Sequence, residues 1–272
     1  MQFIRIAFLG LVLFYSNIIV SQSNNQAHSS TVTLHSKILD EERTLFINFP
    51  ESYFNENYES VNYPIIILLD GQTFLKTTNG IVHFMSSSRN RNNLMLESII
   101  VAIENVDRER DFTVTKIKTK RENTSGGGNN FLDFIEQELI PYIDKNYRTQ
   151  EHRTLIGHSL GGLLALNAYM SEKTVFETFL VIDPSIWWND EIMHSKVDSM
   201  SDACFNRRLY LATANQNKDR YVRNKKRHDN LATLLNKKSK NNASILHETF
   251  DNENHRSVPL KAIYNGLKFL NN

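Results

Sequence analysis

The chain has 272 residues, 40% of them hydrophobic and 22% charged, with a formal net charge of +1 at pH 7. That length carries one large buried core, and that balance excludes intrinsic disorder, collagen-like repeats and the strongly basic surface of a nucleic-acid binder. The lone cysteine, Cys204, excludes an intramolecular disulfide framework, so packing must supply the stability.

Arg5 precedes an apolar run from Ile6 to Tyr15, followed by Ile18-Ile19-Val20 and then Ser21-Gln22-Ser23. This is a basic segment, an apolar segment and a cleavage site. Residues 1–22 are therefore expected to be a secretory signal, and residues 23–272 a single exported domain, periplasmic or secreted. Ser16 and Asn17 interrupt the run, which falls short of the ~20 apolar residues a spanning helix needs. No stable membrane insertion is expected once the signal is removed. The mature chain is near neutral and is expected to bind neither nucleic acid nor a membrane surface.

Two β-rich stretches, Thr31 to Leu39 and Arg43 to Phe49, alternate in polarity around Asp40-Glu41-Glu42, as an antiparallel hairpin with one wet face would. Beyond them the pattern changes to short apolar runs without alternation. These are Ile65 to Leu69, Ser98 to Ile103, Thr154 to Ile156, Phe179 to Ile182 and Leu209 to Ala212, and such runs suit strands buried on both faces of a parallel sheet. Segments of helical period lie between them: Phe131, Phe134, Ile135, Leu139 and Ile140 before Pro141, then Leu163 to Tyr169, and finally Leu260, Ile263, Leu267 and Leu270. Strand then helix, repeated, predicts an α/β fold with a mostly parallel central sheet, helices on both faces and an N-terminal antiparallel hairpin.

Gly157-His158-Ser159-Leu160-Gly161-Gly162 follows one of these strands and opens a helix. A G-x-S-x-G sequence in a strand-turn-helix context is the nucleophile elbow of the α/β-hydrolase fold. Its serine sits on a sharp turn, and small residues let the strand and helix backbones approach. A serine hydroxyl is a poor nucleophile unless a histidine takes its proton and a carboxylate orients that histidine. His158 is inside the elbow and cannot fold back onto Ser159, and His247 lies within a strand-like stretch. His255, in the polar loop Asp251 to Ser257 between the last strand and the last helix, is the expected general base. The acid is expected from the loop after the strand at Leu209 to Thr213, where Asp219 is the first carboxylate. Glu253 and Asp251 are rivals, and a Ser-His dyad without a committed acid stays open. Oxyanion stabilisation needs two backbone N–H groups, one from Leu160 and one from Gln72 or Gly71 in Leu69-Asp70-Gly71-Gln72.

Several stretches together resemble the putative-esterase family of α/β-hydrolases, and within it the ferri-siderophore trilactone esterases of the enterobactin and bacillibactin type. They are Leu68 to Gln72, Val101 to Thr113, the elbow, Asp183-Pro184-Ser185-Ile186-Trp187-Trp188 and Asn254 to Ser257. The resemblance implies a cofactor-free serine esterase that acts on ester or lactone bonds. Its substrate would be a small molecule, a siderophore lactone first and a feruloyl or acetyl-sugar ester next. The chain departs from the family at Val114, where proline is usual, and at Ala214-Asn215, where Gly-Glu is frequent. The family also contains acyltransferases, and a ligand-binding member without catalysis is a further alternative.

Trp187 and Trp188 are candidates for an aromatic substrate wall, although adjacent tryptophans point apart and one of them is expected in the core. The basic run from Lys218 to Lys240 is expected mainly as a solvated helix face, with attraction of an anionic ligand as its alternative. No His, Cys or Glu cluster has metal-ligand spacing, so no metal is expected.

Overall fold

The computed structural model describes residues 28–119, 124–216, 219–239 and 244–272. The expected secretory signal lies outside them. Eight strands form one sheet: β1 (Ser29–Ser36), β2 (Glu41–Asn48), β3 (Tyr63–Leu68), β4 (Ile99–Ile103), β5 (Thr149–His158), β6 (Thr178–Ile182), β7 (Arg208–Ala214) and β8 (Ile245–Phe250). Their order is β1-β2-β4-β3-β5-β6-β7-β8. The hairpin β1-β2 is antiparallel and joins β4 antiparallel, and every other pair is parallel.

The unalternated apolar runs have a direct structural meaning. Side chains alternate between the two sides of a strand, so a strand covered on both sides must be apolar throughout. In β3, Ile65 and Ile67 point into one buried cluster and Ile66 and Leu68 into the other; Val101 and Ala102 divide in the same way in β4. One side is covered by α3 (Gly128–Phe134), α4 (Ile140–Asn146) and α5 (Leu160–Tyr169), and the other by α1 (Gly71–Ser86) and α8 (Val258–Asn271). The short α2 (Arg108–Phe112) follows β4, α6 (Ile192–Ser199) follows β6, and α7 (Asp219–Lys238) follows β7. Every residue of α5 from Gly161 to Tyr169 is buried, which explains why that segment shows no polar stripe. Gly266 of α8 sets the approach of that helix to the sheet, since a Cβ there would lie 2.6 Å from Leu180.

The helical segment before Pro141 does not stop at the proline. A π-helical turn, Ile135–Leu139, links α3 to α4, with the Ile140 N–H reaching back to the Ile135 carbonyl. Proline has no N–H to give to the preceding turn, and one widened turn absorbs the missing bond.

Candidate active site

The elbow forms where β5 ends at His158 and α5 begins at Leu160. Ser159 has φ 60° and ψ −117°, a strained conformation for a residue with a side chain, and it lifts the hydroxyl off the rim of the sheet. The strain is tolerated because the surroundings fix it. The Ser159 N–H donates to the Ile182 carbonyl at 3.0 Å, and its carbonyl accepts from Leu163 and Ser185, both at 3.0 Å. A Cβ on Gly157 would lie 2.1 Å from the Gly161 carbonyl oxygen, so only glycine lets strand and helix pass this closely.

Ser159 Oγ lies 3.0 Å from His255 Nε2, and His255 Nδ1 lies 2.5 Å from Asp183 Oδ2. Asp183 is 1% exposed and follows directly on β6. Its other oxygen accepts the Ala214 N–H at 3.1 Å. Because a carboxylate only accepts, Nδ1 carries the imidazole proton and Nε2 is left to receive the proton of Ser159. A hydroxyl has one proton to give. In the 3.3 Å contact between Ser185 Oγ and Ser159 Oγ, Ser185 is therefore the donor.

The placement of the acid corrects the expectation from chain order. The carboxylate against His255 comes from the end of β6, not from the loop after β7. Asp219 opens α7, and its side chain lies outside the described residues. Neither rival stands in for it: Glu253 pairs with Lys261 at 2.6 Å, and Asp251 accepts from the Asn215 amide at 2.7 Å. A dyad with no acid is likewise not what the geometry presents. The sequence shows only that Asp183 directly follows an apolar strand; what singles it out is the pairing of that strand with β5 in a register joining Ile182 to His158. That register sets Asp183 level with Ser159.

The histidine is held from behind as well. His158 Nε2 donates to the His255 carbonyl at 2.8 Å, and the two rings stack with centroids 4.4 Å apart. Burial, and then the neighbouring His255, push the His158 imidazole down to about 4, so it is neutral at pH 7 and the stack carries no paired positive charge. On the opposite side Asp70, in the left-handed region at φ 54°, takes a bidentate pair from Arg108 at 2.6 and 2.9 Å and the Asn105 amide at 2.6 Å. Arg108 also donates to the His158 carbonyl at 3.2 Å, which ties the α1 turn to the elbow. Leu160 is the first residue of α5, and Gly71 and Gln72 are the first two of α1. Amides in a first helical turn have no partner within the helix, so both elements bring available N–H donors toward the rim.

Ser159, Asp183, Ser185 and His255 line the base of a cleft of 840 Å³, with Trp187, Arg223, Arg227 and Arg256 among its walls. Trp187 is 49% exposed there. Trp188 is the one of the two candidates that lies in the core and not in the wall: it is buried, and its indole N–H is directed at Thr115, 3.3 Å from the carbonyl and 3.2 Å from the hydroxyl. Arg227 is paired with Glu191 at 2.6 Å. The basic helix α7 thus turns part of its charge onto the cleft. Among the described residues no group of three His, Cys, Asp or Glu side chains is placed to hold a metal ion.

Arg110 and Asp111 stand apart from this cleft. Arg110 pairs with Asp111 at 2.8 Å and with Glu41, and Asp111 lies 2.8 Å from the fully buried Arg43.

Comparison with known proteins agrees with this geometry. The ferri-bacillibactin esterase BesA of Bacillus subtilis is 32% identical over 152 residues, 50% of this chain and 52% of that protein. The siderophore triacetylfusarinine C esterase of Aspergillus fumigatus is 31% identical over 132 residues, 46% of this chain and 45% of that protein. The chain thus spans about half the length of the curated relatives it matches. Among solved structures, an IroE-like serine hydrolase from Shewanella oneidensis superposes with a TM-score of 0.78 at 28% identity, covering 89% of this chain and 80% of that one. The BES protein of Bacillus cereus shares the fold, with a TM-score of 0.74 at 24% identity over 99% of both chains. The family described as "Putative esterase" matches residues 36–255, and the chain belongs to that family of α/β-hydrolases.

Proposed function

We propose that the protein is an exported serine carboxylic-ester hydrolase that works through an acyl-enzyme. The observation that carries this is the hydrogen-bonded line from Ser159 through His255 to Asp183, mounted on a strained elbow at the base of an open cleft. Ser159 Oγ forms a bond to the ester carbonyl carbon while its proton passes to His255 Nε2. Asp183 holds the ring in the required tautomer and stabilises the imidazolium. The carbonyl oxygen becomes an oxyanion, and the amides of Leu160 and of Gln72 or Gly71 are the candidates to hold it. Collapse breaks the carbon–alkoxide bond, and His255 returns its proton to the leaving oxygen. Water then repeats the sequence with His255 as base, which releases the acid and restores Ser159.

For the substrate, the reading is a siderophore lactone. Relatives named for ferri-bacillibactin and triacetylfusarinine C support it, as does the wall chemistry. Neither Arg223 nor Arg256 has an ion-pair partner among the described residues, and with the exposed Trp187 they offer positive charge beside an aromatic face. A catecholate ligand is both anionic and aromatic. Among the described residues no helix is long and apolar enough to cross a membrane.

The test is hydrolysis of a ferric tris-catecholate trilactone by the mature chain, run beside short acyl esters and a Ser159→Ala variant. Opening of the trilactone well ahead of the short esters, with an inactive variant, is the expected result. Cleavage of the short esters alone would remove the siderophore assignment, and a variant as active as the parent would remove the mechanism.

A further inference from the structure

Behind Asp183 lies a buried hydrogen-bonded chain that the reaction does not consume. His228 of α7 is completely buried, with Nε2 2.9 Å from the Pro184 carbonyl and Nδ1 2.8 Å from Thr213 Oγ1. The same hydroxyl is 2.8 Å from His247 Nε2 on β8. Donor and acceptor roles follow from one fixed point. The Pro184 carbonyl only accepts, so His228 Nε2 carries a proton. Burial lowers the basicity of this ring and keeps it neutral, which leaves Nδ1 as an acceptor. Thr213 must then donate to His228 and accept from His247 Nε2–H. Every hydrogen bond in the chain then has one direction.

The chain ends on a turn that needs support. Asp183 has φ 39°, a region residues with side chains rarely adopt. This turn carries both the acid and Ser185, which touches Ser159. His228 Nδ1 is also 3.7 Å from Asp183 Oδ1. As an unprotonated nitrogen it makes no claim on the carboxylate, whereas a protonated ring would divide that charge between two imidazoles. The charged and titratable groups facing His228 are Asp183, Asp229 and His255, with His247 beyond Thr213.

We infer that His228 is a positioning residue: with Thr213 and His247 behind it, it clamps the strained Asp183–Pro184 turn through the Pro184 carbonyl, so that Asp183 is aimed at His255 alone. This rests on the hydrolase reading for its kinetic consequence but not for its geometry, so the experiment has one arm of each kind. Three variants serve: His228→Leu removes both hydrogen bonds, Thr213→Val cuts the chain at nearly constant shape, and His228→Gln restores a donor toward Pro184. In the kinetic arm, active sites are counted by fluorophosphonate labelling. His228→Leu is expected to lose about 10- to 100-fold in kcat per labelled site at nearly unchanged KM, the scale of a misplaced catalytic group. Thr213→Val should lose less, and His228→Gln should recover most of the loss. A purely structural role would reduce the number of labelled sites and leave kcat per site unchanged. In the substrate-free arm, the far-downfield proton resonance of His255 Nδ1–H against Asp183 is expected in the parent and shifted upfield in His228→Leu and Thr213→Val. Parent-like kcat per site together with a parent-like resonance overturns the inference. Should His228→Leu fail to fold, Thr213→Val decides by the same two readouts. Should the parent hydrolyse no ester, the resonance alone decides, and the hydrolase reading falls separately.

Discussion

Asp183 Oδ2 and His255 Nδ1 are 2.5 Å apart, and the carboxylate is almost completely shielded from water. A charge-assisted hydrogen bond in such surroundings is strong, and its loss leaves the imidazole free to take the wrong tautomer. Asp183→Asn is therefore expected to lower kcat by about a thousandfold or more, while Asp219→Asn stays near the parent, as steady-state ester hydrolysis would report. Ser159 and His255 were legible because each sits in a local pattern with a mechanical meaning, a strand-turn-helix elbow and a polar loop before the last helix. The acid was not, because chain order sets only that it lies between them. What selects Asp183 is the lateral pairing of β6 with β5, a long-range contact that no local pattern encodes. Trp187 and Trp188 divide on the same principle. Sequence shows two adjacent rings, and packing decides which of them meets solvent.

Between the elements, the hairpin β1-β2 is fastened to α2 by charge. Arg43 of β2 is fully buried against Asp111 at 2.8 Å and Glu41, with Arg110 closing the group. The alternation in Arg43 to Phe49 predicts a wet face, yet Arg43 itself faces the interior over the Phe131 ring at 5.1 Å. Its carboxylate partners explain the exception. Burial raises the Asp111 carboxyl above its ordinary value, with the two arginines opposing that shift. Removing one member strands the others in a poor solvent. Arg43→Met is expected to cost about 3–5 kcal/mol in urea denaturation, whereas a neutral result would mean that water reaches the pair. The element boundaries follow the sequence closely in β3, β4 and β6, where unbroken apolar runs mark them, but β5 begins at Thr149, five residues before its apolar run. They follow it less well at Pro141, where a π-helical turn carries the chain through a residue that ordinarily stops a helix.

For the molecule as a whole, strand identity was readable and strand order was not. The order β1-β2-β4-β3-β5-β6-β7-β8 rests on pairings between distant segments. One global property follows from the buried histidines. His158 and His247 are pushed from 6.5 to about 4, and His228 is lowered as well, each chiefly by burial. Their folded values lie below the unfolded one, so the unfolded chain binds more protons between pH 6.5 and about 4. Stability from these groups is complete above that window and is lost as pH falls through it. Each group contributes a slope of up to about 1.4 kcal/mol per pH unit. Denaturation midpoints are expected to fall steeply between pH 7 and pH 5, and His247→Gln should flatten that dependence by one proton. An unchanged slope in the variant would remove His247 from the account.

The position of the acid on β6 also divides labour around the cleft. With Asp183 against His255, the connection from β7 to β8 places no side chain among the described residues against Ser159 or His255, and from Gln216 through α7 it is free to shape the wall with Arg223 and Arg227. Part of the wall is thus written on a stretch of polypeptide separate from the Ser159–His255–Asp183 line. Exchanging the segment from Gln216 to Arg223 for one of different charge is expected to re-rank the esters accepted, while turnover of a small neutral ester stays within a few-fold of the parent. A lineage could diversify its diet there by insertion or substitution without rebuilding its catalytic engine.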